Sequence, residues 1–285
     1  MGQGQVRIGV VAPACRLEPA TAERVAAFAA ARHGGAVALS FHPQCFLSSG
    51  HFAGDDAARA AALVETANDP AIDAVWFGRG GYGSNRILDL ALPALGEAAR
   101  GKTYLGYSDL GSLLGGLYAA GIGRVAHGPM PQDIVREGGE AAVGRALDWL
   151  VTGAADALEP TVGLEGPCAA FNMAVFSALV GTPWQPDLSG HVLMLEEVGE
   201  YMYRIDRFMF HITSNPGVRR AAGLRLGRCS AIPENDPDFV LDEAAVVRGW
   251  CERAGIAFLG RADIGHDVGN RIVPFGSSPR LATSA

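Results

Sequence analysis

Short apolar runs, each followed by a helix-length segment, organise the first half of this 285-residue chain. The runs have the length and composition of buried strands, and they lie at residues 6–12, 36–39, 74–77, 103–106 and 124–128. Segments with apolar residues at helical spacing follow them, at residues 19–31, 56–67, 85–92, 110–120 and 140–150. Because strand and helix alternate, the pattern predicts a parallel sheet with helices on both faces.

The pattern changes after Val151. Residues 152–165 are small and weakly patterned, and beyond them the elements are shorter and turn signals from Gly, Pro and Asn are denser. The sequence therefore predicts an α/β protein, with a parallel-sheet, Rossmann-like N-terminal domain at residues 1–158 and a smaller C-terminal α+β domain at residues 159–285. Within the second domain it predicts strands at 191–195 and 256–259, and helices at 203–211 and 242–254.

Composition and charge narrow the possible functions. Hydrophobic residues make up 49% of the chain and charged residues 19%, which is ordinary for a globular protein. The net charge of −7 argues against binding to nucleic acid or to an anionic membrane, because no basic patch is visible that would neutralise phosphates. No apolar run approaches the ~18 residues of a membrane span, and no secretory signal is visible, so we expect a cytoplasmic protein.

The five cysteines also fit that setting. Their number is odd, they are widely scattered along the chain, and no two of them share metal-ligand spacing. The sequence therefore predicts reduced thiols with structural roles and no metal site.

A serine stands between a short strand and a helix in the stretch Thr-Tyr-Leu-Gly-Tyr-Ser-Asp-Leu at 103–110. A hydroxyl at such a junction lies at the carboxyl end of a strand, where the free N–H groups of the next helical turn can face an oxyanion. Ser108 is therefore a candidate nucleophile. The other interpretation is a helix N-cap, and Leu110 stands where the G-x-S-x-G elbow has its second glycine.

The glycine-rich loop at residues 78–83 matches G-x-G-x-x-G. It follows the third predicted strand rather than the first, and no acidic residue ends a strand about twenty positions later, so dinucleotide binding is a weak interpretation. A loop that supplies backbone N–H donors fits better, because glycines let the main chain approach a ligand closely. Together with the amide of Asp109, this loop could form an oxyanion hole. A nucleotide- or small-molecule-binding α/β protein remains the alternative from another class.

A serine nucleophile needs a base and a carboxylate that orients the base. The chain has seven histidines, and His266 stands out because it lies in an irregular, glycine-flanked segment after a predicted strand. His127 ends the fifth predicted strand, where a bond to a neighbouring loop is the simpler role. For the carboxylate, Glu196 and Glu197 both lie at the end of an apolar strand, where a charge needs a reason.

The ordered set of these motifs resembles the LD-carboxypeptidase family of serine peptidases, and the resemblance spans essentially the whole chain. The motifs that carry it are Val-Ala-Pro at 11–13, Phe-Ala-Gly-Asp-Asp-Ala-Ala-Arg at 52–59, Gly-Arg-Gly-Gly-Tyr-Gly-Ser-Asn-Arg-Ile-Leu at 78–88, Gly-Tyr-Ser-Asp at 106–109, His-Gly-Pro-Met at 127–130, Leu-Glu-Glu-Val-Gly-Glu at 195–200, Tyr-Arg-Ile-Asp-Arg at 203–207 and Gly-His at 265–266. One departure is Ala-Phe-Asn at 170–172, where the family usually has Gly-Gly-Asn.

The resemblance implies a Ser–His–Glu triad with Ser108 as nucleophile, His266 as base and Glu196 as orienting carboxylate. Glu197 takes the last role if the register of the two glutamates is shifted by one. It also implies an oxyanion hole from the backbone N–H groups of Gly81 and Asp109, with no metal and no cofactor. A free substrate carboxylate would be bound by nearby arginines, for which the candidates are Arg79, Arg204 and Arg207.

The function implied by the resemblance is that of a serine L,D-carboxypeptidase. Its substrate would be a small peptide, a muropeptide tetrapeptide from which the terminal D-Ala is removed during peptidoglycan recycling. The resemblance also implies a homodimer. The alternative within the family is the immunity-type branch, which cleaves a peptidyl-nucleotide antibiotic and tends to carry an aromatic loop for the base. Trp184 is the only tryptophan in the corresponding region of this chain.

Overall fold

The computed structural model describes residues 4–276 and contains two separate sheets. The first sheet has five parallel strands, which are β1 (Val6–Val11), β2 (Val37–Phe41), β3 (Ala74–Phe77), β4 (Thr103–Gly106) and β5 (Arg124–His127). They lie in the order β5-β4-β3-β1-β2, so β1 lies between β3 and β2, and the order in which strands are added reverses beside it. The alternating pattern of the first half is thus confirmed as a parallel, doubly wound sheet.

The helices between these strands cover both faces of the sheet. They are α1 (Pro19–His33), α2 (Asp56–Asn68), α3 (Leu88–Ala91), α4 (Glu97–Arg100), α5 (Gly111–Ala119) and α6 (Gly139–Thr152). Val10 and Val11 on β1 point into two different hydrophobic cores, as neighbouring strand residues must. The helix predicted at 85–92 is instead broken into α3 between two 3₁₀ turns, the second of which contains Pro93, which has no N–H to donate.

The second sheet is also parallel. Its strands are β6 (Cys168–Asn172), β7 (Val192–Val198), β8 (Gly223–Ser230) and β9 (Phe258–Arg261), in that spatial order. They are connected by α7 (Met173–Leu179), α8 (Met202–Ser214) and α9 (Glu243–Ala254). The α/β class is confirmed, and the α+β description of this smaller unit needs refinement, because its strands and helices alternate.

The last described strand, β10 (Val273–Pro274), returns to the first sheet and pairs antiparallel with β5. The predicted division after residue 158 assigns this strand to the second domain by sequence, whereas its hydrogen bonds join it to the first sheet. The two sheets also share a core, since α5 packs on α7. A Cβ at Gly115 of α5 would lie 2.4 Å from the side chain of Leu179, so only glycine fits this contact. The carboxyl ends of β4 and β7 are thereby brought together.

Within residues 4–276, no helix is long and apolar enough to cross a membrane. The same residues contain no group of three or more His, Cys, Asp or Glu side chains arranged to hold a metal ion. All five cysteines are free.

Candidate active site

Ser108 lies in a strained turn between β4 and α5. Its φ of +60° is in the left-handed region, which costs an ordinary residue about 1–2 kcal/mol. The chain leaves β4 through Tyr107 in an extended conformation and enters a short 3₁₀ turn that leads into α5. The Ser108 hydroxyl does not cap this helix, so the cap expected at this turn is not formed by the serine. The hydroxyl instead lies 2.9 Å from Nε2 of His266.

His266 comes from the loop between β9 and β10 and links the serine to a carboxylate. Its Nδ1 lies 2.6 Å from Oε2 of Glu196, and its side chain is 8% exposed. Because a carboxylate only accepts hydrogen bonds, Nδ1 carries the ring proton of the neutral imidazole. Nε2 is then free to accept the Ser108 hydroxyl proton. Three side chains that the sequence separates by up to 158 positions thus form one hydrogen-bonded chain.

Glu196 and Glu197 are both buried, and they point to opposite faces of β7. Glu196 faces His266, where the absence of a Cβ on Gly227 of β8 leaves room for it, since a Cβ there would lie 2.8 Å from that of Glu196. Glu197 accepts hydrogen bonds from Asn172 Nδ2 at 2.7 Å and from the amides of Ala174 and Val198. It therefore holds the start of α7, and Glu196 is the carboxylate that contacts the imidazole.

The surroundings shift the pKa values of both His266 and Glu197. Burial lowers the pKa of His266, but the charge and hydrogen bond of Glu196 outweigh it, so the pKa is raised above 6.5. The positive charge of Arg136 opposes this rise. Burial raises the pKa of Glu197 to about 7, against the hydrogen bonds from the Val198 amide and Asn172 that favour its carboxylate.

The glycine-rich loop after β3 packs directly against the serine. A Cβ at Gly80 would lie 3.0 Å from both Cβ and Oγ of Ser108, so a larger residue would press on the nucleophile. Gly81 has a φ of +111°, and a Cβ there would lie 2.3 Å from Sγ of Cys15. Both positions thus require glycine, for close approach at one and for backbone conformation and space at the other. The G-x-G-x-x-G match reflects these contacts.

Other motifs hold this loop in place. The fully buried Arg59 donates to the carbonyl of Gly83 at 2.8 Å and also to that of Pro13. The carboxylate of Asp109 accepts from the amide of Ser84 at 2.8 Å. Burial raises the pKa of Asp109, although its hydrogen bonds with Ser84 favour the charged form. The Asp109 side chain therefore ties the loop to the serine turn, and only its backbone amide is available to face a ligand.

The two predicted oxyanion donors flank the serine. The amide of Gly81 has no hydrogen-bond partner among the described residues, and its loop lies against Ser108. The amide of Asp109 lies in the first turn that leads into α5, where N–H groups lack intrahelical partners. Both residues thus lie beside Ser108, and their role as oxyanion-hole donors stays a prediction.

A cavity of about 370 Å³ opens over the serine. It is lined by Gly81, Tyr82, Asn85, Ser108, Asp109, Ser112, Asn172, Ala174, Val175, Ala178, Glu197, Val198, Glu200 and His266. A larger groove of about 560 Å³ at the ends of β8 and β9 contains none of the three hydrogen-bonded residues. The smaller cavity is therefore the candidate active site.

The predicted arginines lie outside the cavity lining. Arg79 donates to the carbonyl of Arg16 at 3.1 Å and is exposed to solvent. Arg204 pairs at 3.0 Å with Glu200, which does line the cavity. Arg207 stacks over the ring of Tyr203. Among the described lining residues there is no Lys or Arg. Of the three predicted arginines, Arg204 is the one that pairs directly with a lining residue, Glu200.

Three polar contributors were missed by reading the sequence alone. Asn172 lines the cavity, caps α7 and donates to Glu197. Asp133 and Arg136, which follow β5, support the serine turn and the His266 loop. Asn172 could have been found, because the departure from Gly-Gly-Asn at 170–172 leaves the asparagine in place.

A serine hydroxyl on a strained strand-to-helix turn, hydrogen-bonded to an imidazole that contacts a buried carboxylate, is the arrangement of a serine hydrolase on an α/β fold. Residues 8–128 match the LD-carboxypeptidase N-terminal domain, and residues 165–281 match the LD-carboxypeptidase C-terminal domain. The chain therefore belongs to the LD-carboxypeptidase family, and the resemblance seen in the motifs is confirmed. Members of this family are hydrolases, and this chain is a serine carboxypeptidase.

Two relatives agree with this assignment. A Synechocystis sp. protein named as a carboxypeptidase is 31% identical over 248 residues, which cover 81% of this chain and 77% of that protein. The murein tetrapeptide carboxypeptidase of Pseudomonas aeruginosa is 26% identical over 231 residues, which cover 74% of this chain and 73% of that enzyme.

Two solved structures share the fold. The muramoyltetrapeptide carboxypeptidase of Oxalobacter formigenes superposes with a TM-score of 0.78 at 24% identity, over 94% of this chain and 93% of that one. The microcin C7 self-immunity protein MccF, in complex with aspartyl sulfamoyl adenosine, gives a TM-score of 0.76 at 16% identity, over 97% of each chain. At these identities the likeness shows a common fold.

Proposed function

We propose that the protein is an L,D-carboxypeptidase that removes the terminal D-Ala from muropeptide tetrapeptides and acts in peptidoglycan recycling. The observation that carries the proposal is the hydrogen-bonded chain from Ser108 through His266 to Glu196, of which Ser108 and His266 line the cavity. The 26% sequence identity to a murein tetrapeptide carboxypeptidase, in an alignment that covers 74% of the chain, supports the choice of substrate.

In the proposed acylation, Oγ of Ser108 forms a bond to the scissile carbonyl carbon while Nε2 of His266 takes the hydroxyl proton. Glu196 stabilises the resulting imidazolium, since their charges are opposite and Nδ1 already donates to its carboxylate. The amides of Gly81 and Asp109 donate to the carbonyl oxygen as it becomes negative. The C–N bond then breaks, and the proton on Nε2 passes to the nitrogen of the leaving D-Ala.

In the proposed second half of the reaction, water attacks the carbon of the acyl-enzyme. The water gives a proton to Nε2 of His266 as its oxygen forms the new C–O bond. The ester bond to Ser108 then breaks, the proton returns to Oγ, and a tripeptide with a free carboxylate leaves. For the terminal carboxylate of the substrate we propose Arg204, with Arg79 as the second candidate.

The immunity-type activity is the second candidate, and the shared fold with MccF supports keeping it. The cavity offers one aromatic side chain, Tyr82, for stacking on a nucleobase. Trp184 does not line the cavity, and its indole N–H instead donates to Asp89 at 3.1 Å. The murein substrate is therefore the better supported of the two.

The function is tested by incubating the purified protein with a tetrapeptide ending in D-Ala and measuring the released amino acid. We expect D-Ala and tripeptide in equal amounts from tetrapeptides with either lysine or diaminopimelate at the third position. A parallel reaction contains an aminoacyl sulfamoyl adenosine. Turnover of the nucleotide compound alone would replace the proposed substrate by the second candidate, and turnover of neither would contradict the proposal.

The decrease of kcat/KM at low pH, the acid limb of the rate profile, is expected to follow the protonation of His266. The base acts only when neutral, and its pKa is raised above 6.5, so kcat/KM should fall as the pH drops through this raised value. Glu196→Gln removes the main cause of the rise and leaves the burial that lowers the pKa. We expect the limb to move to lower pH and kcat to fall by about 10³-fold.

Glu197→Gln is the matched variant for this experiment. Its carboxylate acts on the imidazole through charge alone, so we expect a smaller shift of the limb in the same direction. Should Glu197→Gln give the larger shift and the larger loss of kcat, the orienting carboxylate would be Glu197 and the assignment of Glu196 would be wrong.

The proposed setting is the cytoplasm, which the five free cysteines support because such thiols persist where the environment is reducing. The homodimer implied by the family resemblance stays a prediction.

A further inference from the structure

A hydrogen-bonded network connects the serine turn with the loop that carries the base. The hydroxyl of Tyr107, the residue before the nucleophile, donates to Oδ1 of Asp133 at 2.7 Å. Oδ2 of the same carboxylate accepts from the amide of Met130 at 2.8 Å. Nε of Arg136 donates to Oδ1 at 3.0 Å, and a second nitrogen of this guanidinium donates to the backbone carbonyl of His266. Tyr107 and Asp133 are 2% and 5% exposed, so the hydrogen bond between them lies in a low-dielectric environment, while Arg136 reaches solvent.

The same network touches the imidazole itself. The ring of Tyr107 lies with its centroid 4.9 Å from that of His266, at an interplanar angle of 54°. The imidazole of His266 therefore packs against Tyr107 on one side, and the backbone carbonyl of the same residue is held by Arg136. The planar fork of the guanidinium places its donors in two fixed directions, which suits this pair of acceptors, whereas the ammonium of a lysine lacks that fixed geometry. The hydrogen bond to this carbonyl restrains the loop at the residue that carries the catalytic ring.

We propose that Arg136 is a positioning residue for the base: it ties the carbonyl of His266 to the Asp133–Tyr107 pair and so holds Nε2 at hydrogen-bonding distance from Ser108. This inference rests on the function proposed above. Arg136 does not line the cavity, so a role in binding the substrate is a different hypothesis with a different kinetic signature.

The charge of Arg136 gives the proposal a second readout. This charge lowers the pKa of His266. Other charged or titratable groups also surround the imidazole: Glu196 and Glu197 on β7, Tyr107 before the nucleophile, Asp133 after β5, His127 on β5 and Asp267 in its own loop. Removing the guanidinium removes a positive charge beside the imidazole. The acid limb of kcat/KM should therefore move to higher pH, opposite to the shift expected for Glu196→Gln.

The test is Arg136→Ala with the tetrapeptide assay, compared with Arg24→Ala as the matched control. Arg24 is likewise a half-exposed arginine; it pairs at 3.0 Å with Glu140 on the surface and does not line the cavity. We expect Arg136→Ala to lower kcat by about 10- to 100-fold with KM changed less than threefold, because a small displacement of the base is enough for such a loss. Arg24→Ala should keep the wild-type kcat and pH profile.

Chemical rescue separates positioning from general damage. The Arg136 side chain is 41% exposed, so methylguanidinium can reach the vacated space. We expect it to restore kcat of Arg136→Ala at least fivefold, while methylammonium restores none of it. Arg136→Lys, which keeps the charge, should leave the acid limb in place and still lose activity. This variant also provides the test if the alanine variant does not fold.

Two outcomes would overturn the inference. One is a kcat within threefold of wild type for both Arg136 variants. The other is a loss of kcat for Arg136→Ala with neither a moved limb nor rescue, since this is what a purely structural role would give. Activity that survives Ser108→Ala would instead overturn the proposed function, so the two failures are distinguishable.

Discussion

Replacing Ser108 with alanine is expected to lower kcat for D-Ala release by about 10⁵-fold or more, because no other group can form the acyl-enzyme. The Cβ and the backbone conformation are kept, so the turn with its φ of +60° should survive the change. Substrate binding should survive as well, since the amides proposed to face the carbonyl are part of the main chain. The measurement is the single-turnover rate on a tetrapeptide, together with the KM and the circular dichroism spectrum of the variant.

A matched control for this variant exists in the same chain. Ser177 on α7 lies 3.0 Å from Nδ1 of His211, and the described residues supply no carboxylate to that imidazole. Ser177→Ala removes a serine–histidine contact of the same kind away from the cavity lining and should leave kcat unchanged. Turnover by Ser108→Ala at more than a hundredth of the wild-type rate would show that another group is the nucleophile.

His266→Ala is expected to lower kcat by about 10⁴-fold or more, since the proton of the serine then has no acceptor. The variant also leaves the buried Glu196 without the imidazole N–H that donates to it, so some loss of stability should accompany the loss of rate. Thermal unfolding measured beside kcat separates the two effects. The rate loss should persist at temperatures well below the midpoint of unfolding.

His42 supplies the control for this second variant. Its Nε2 lies 3.1 Å from Glu65, so it forms a histidine–carboxylate pair at the surface without a serine. His42→Ala should retain the wild-type rate. A loss of kcat of less than tenfold for His266→Ala would show that another histidine is the base. The candidate would then be His127, which also lies near the serine turn. That imidazole is buried and bonded to Asn270, and burial lowers its pKa to about 4.

Reading the sequence was reliable wherever the signal was local or periodic. Apolar runs alternating with helical spacing are sufficient for a parallel sheet, because a strand buried on both faces needs a continuous apolar run. The starts of two helices were also readable: α1 begins at Pro19 and α2 at Asp56, where the sequence pattern placed them.

The second sheet was harder because its strands carry weak local signals. β8 has two arginines and two glycines among its eight residues, so it does not resemble a buried strand. Its burial is decided by β7 and β9 on either side, which are distant in sequence. β6 is short and is followed at once by the capped helix α7, so its pattern is too brief to distinguish.

The two glutamates illustrate a limit of a different kind. Sequence motifs placed an acidic pair at the end of β7 and favoured Glu196, but a shift of one residue exchanges the two faces of a strand. The tertiary structure brings Glu196 to the imidazole and leaves Glu197 at the start of α7.

The sequence by itself determined the class of fold, the order of the motifs, the candidate serine and histidine, and the pair of candidate glutamates, since these depend on periodicity and on motif order. Only the tertiary structure decided which glutamate contacts the base, which glycines must approach the serine, and that Arg136 holds a carbonyl 130 positions away. Such contacts depend on backbone atoms brought together by the packing of two sheets. A backbone carbonyl has the same chemistry in every residue, so its partner leaves no mark in the sequence.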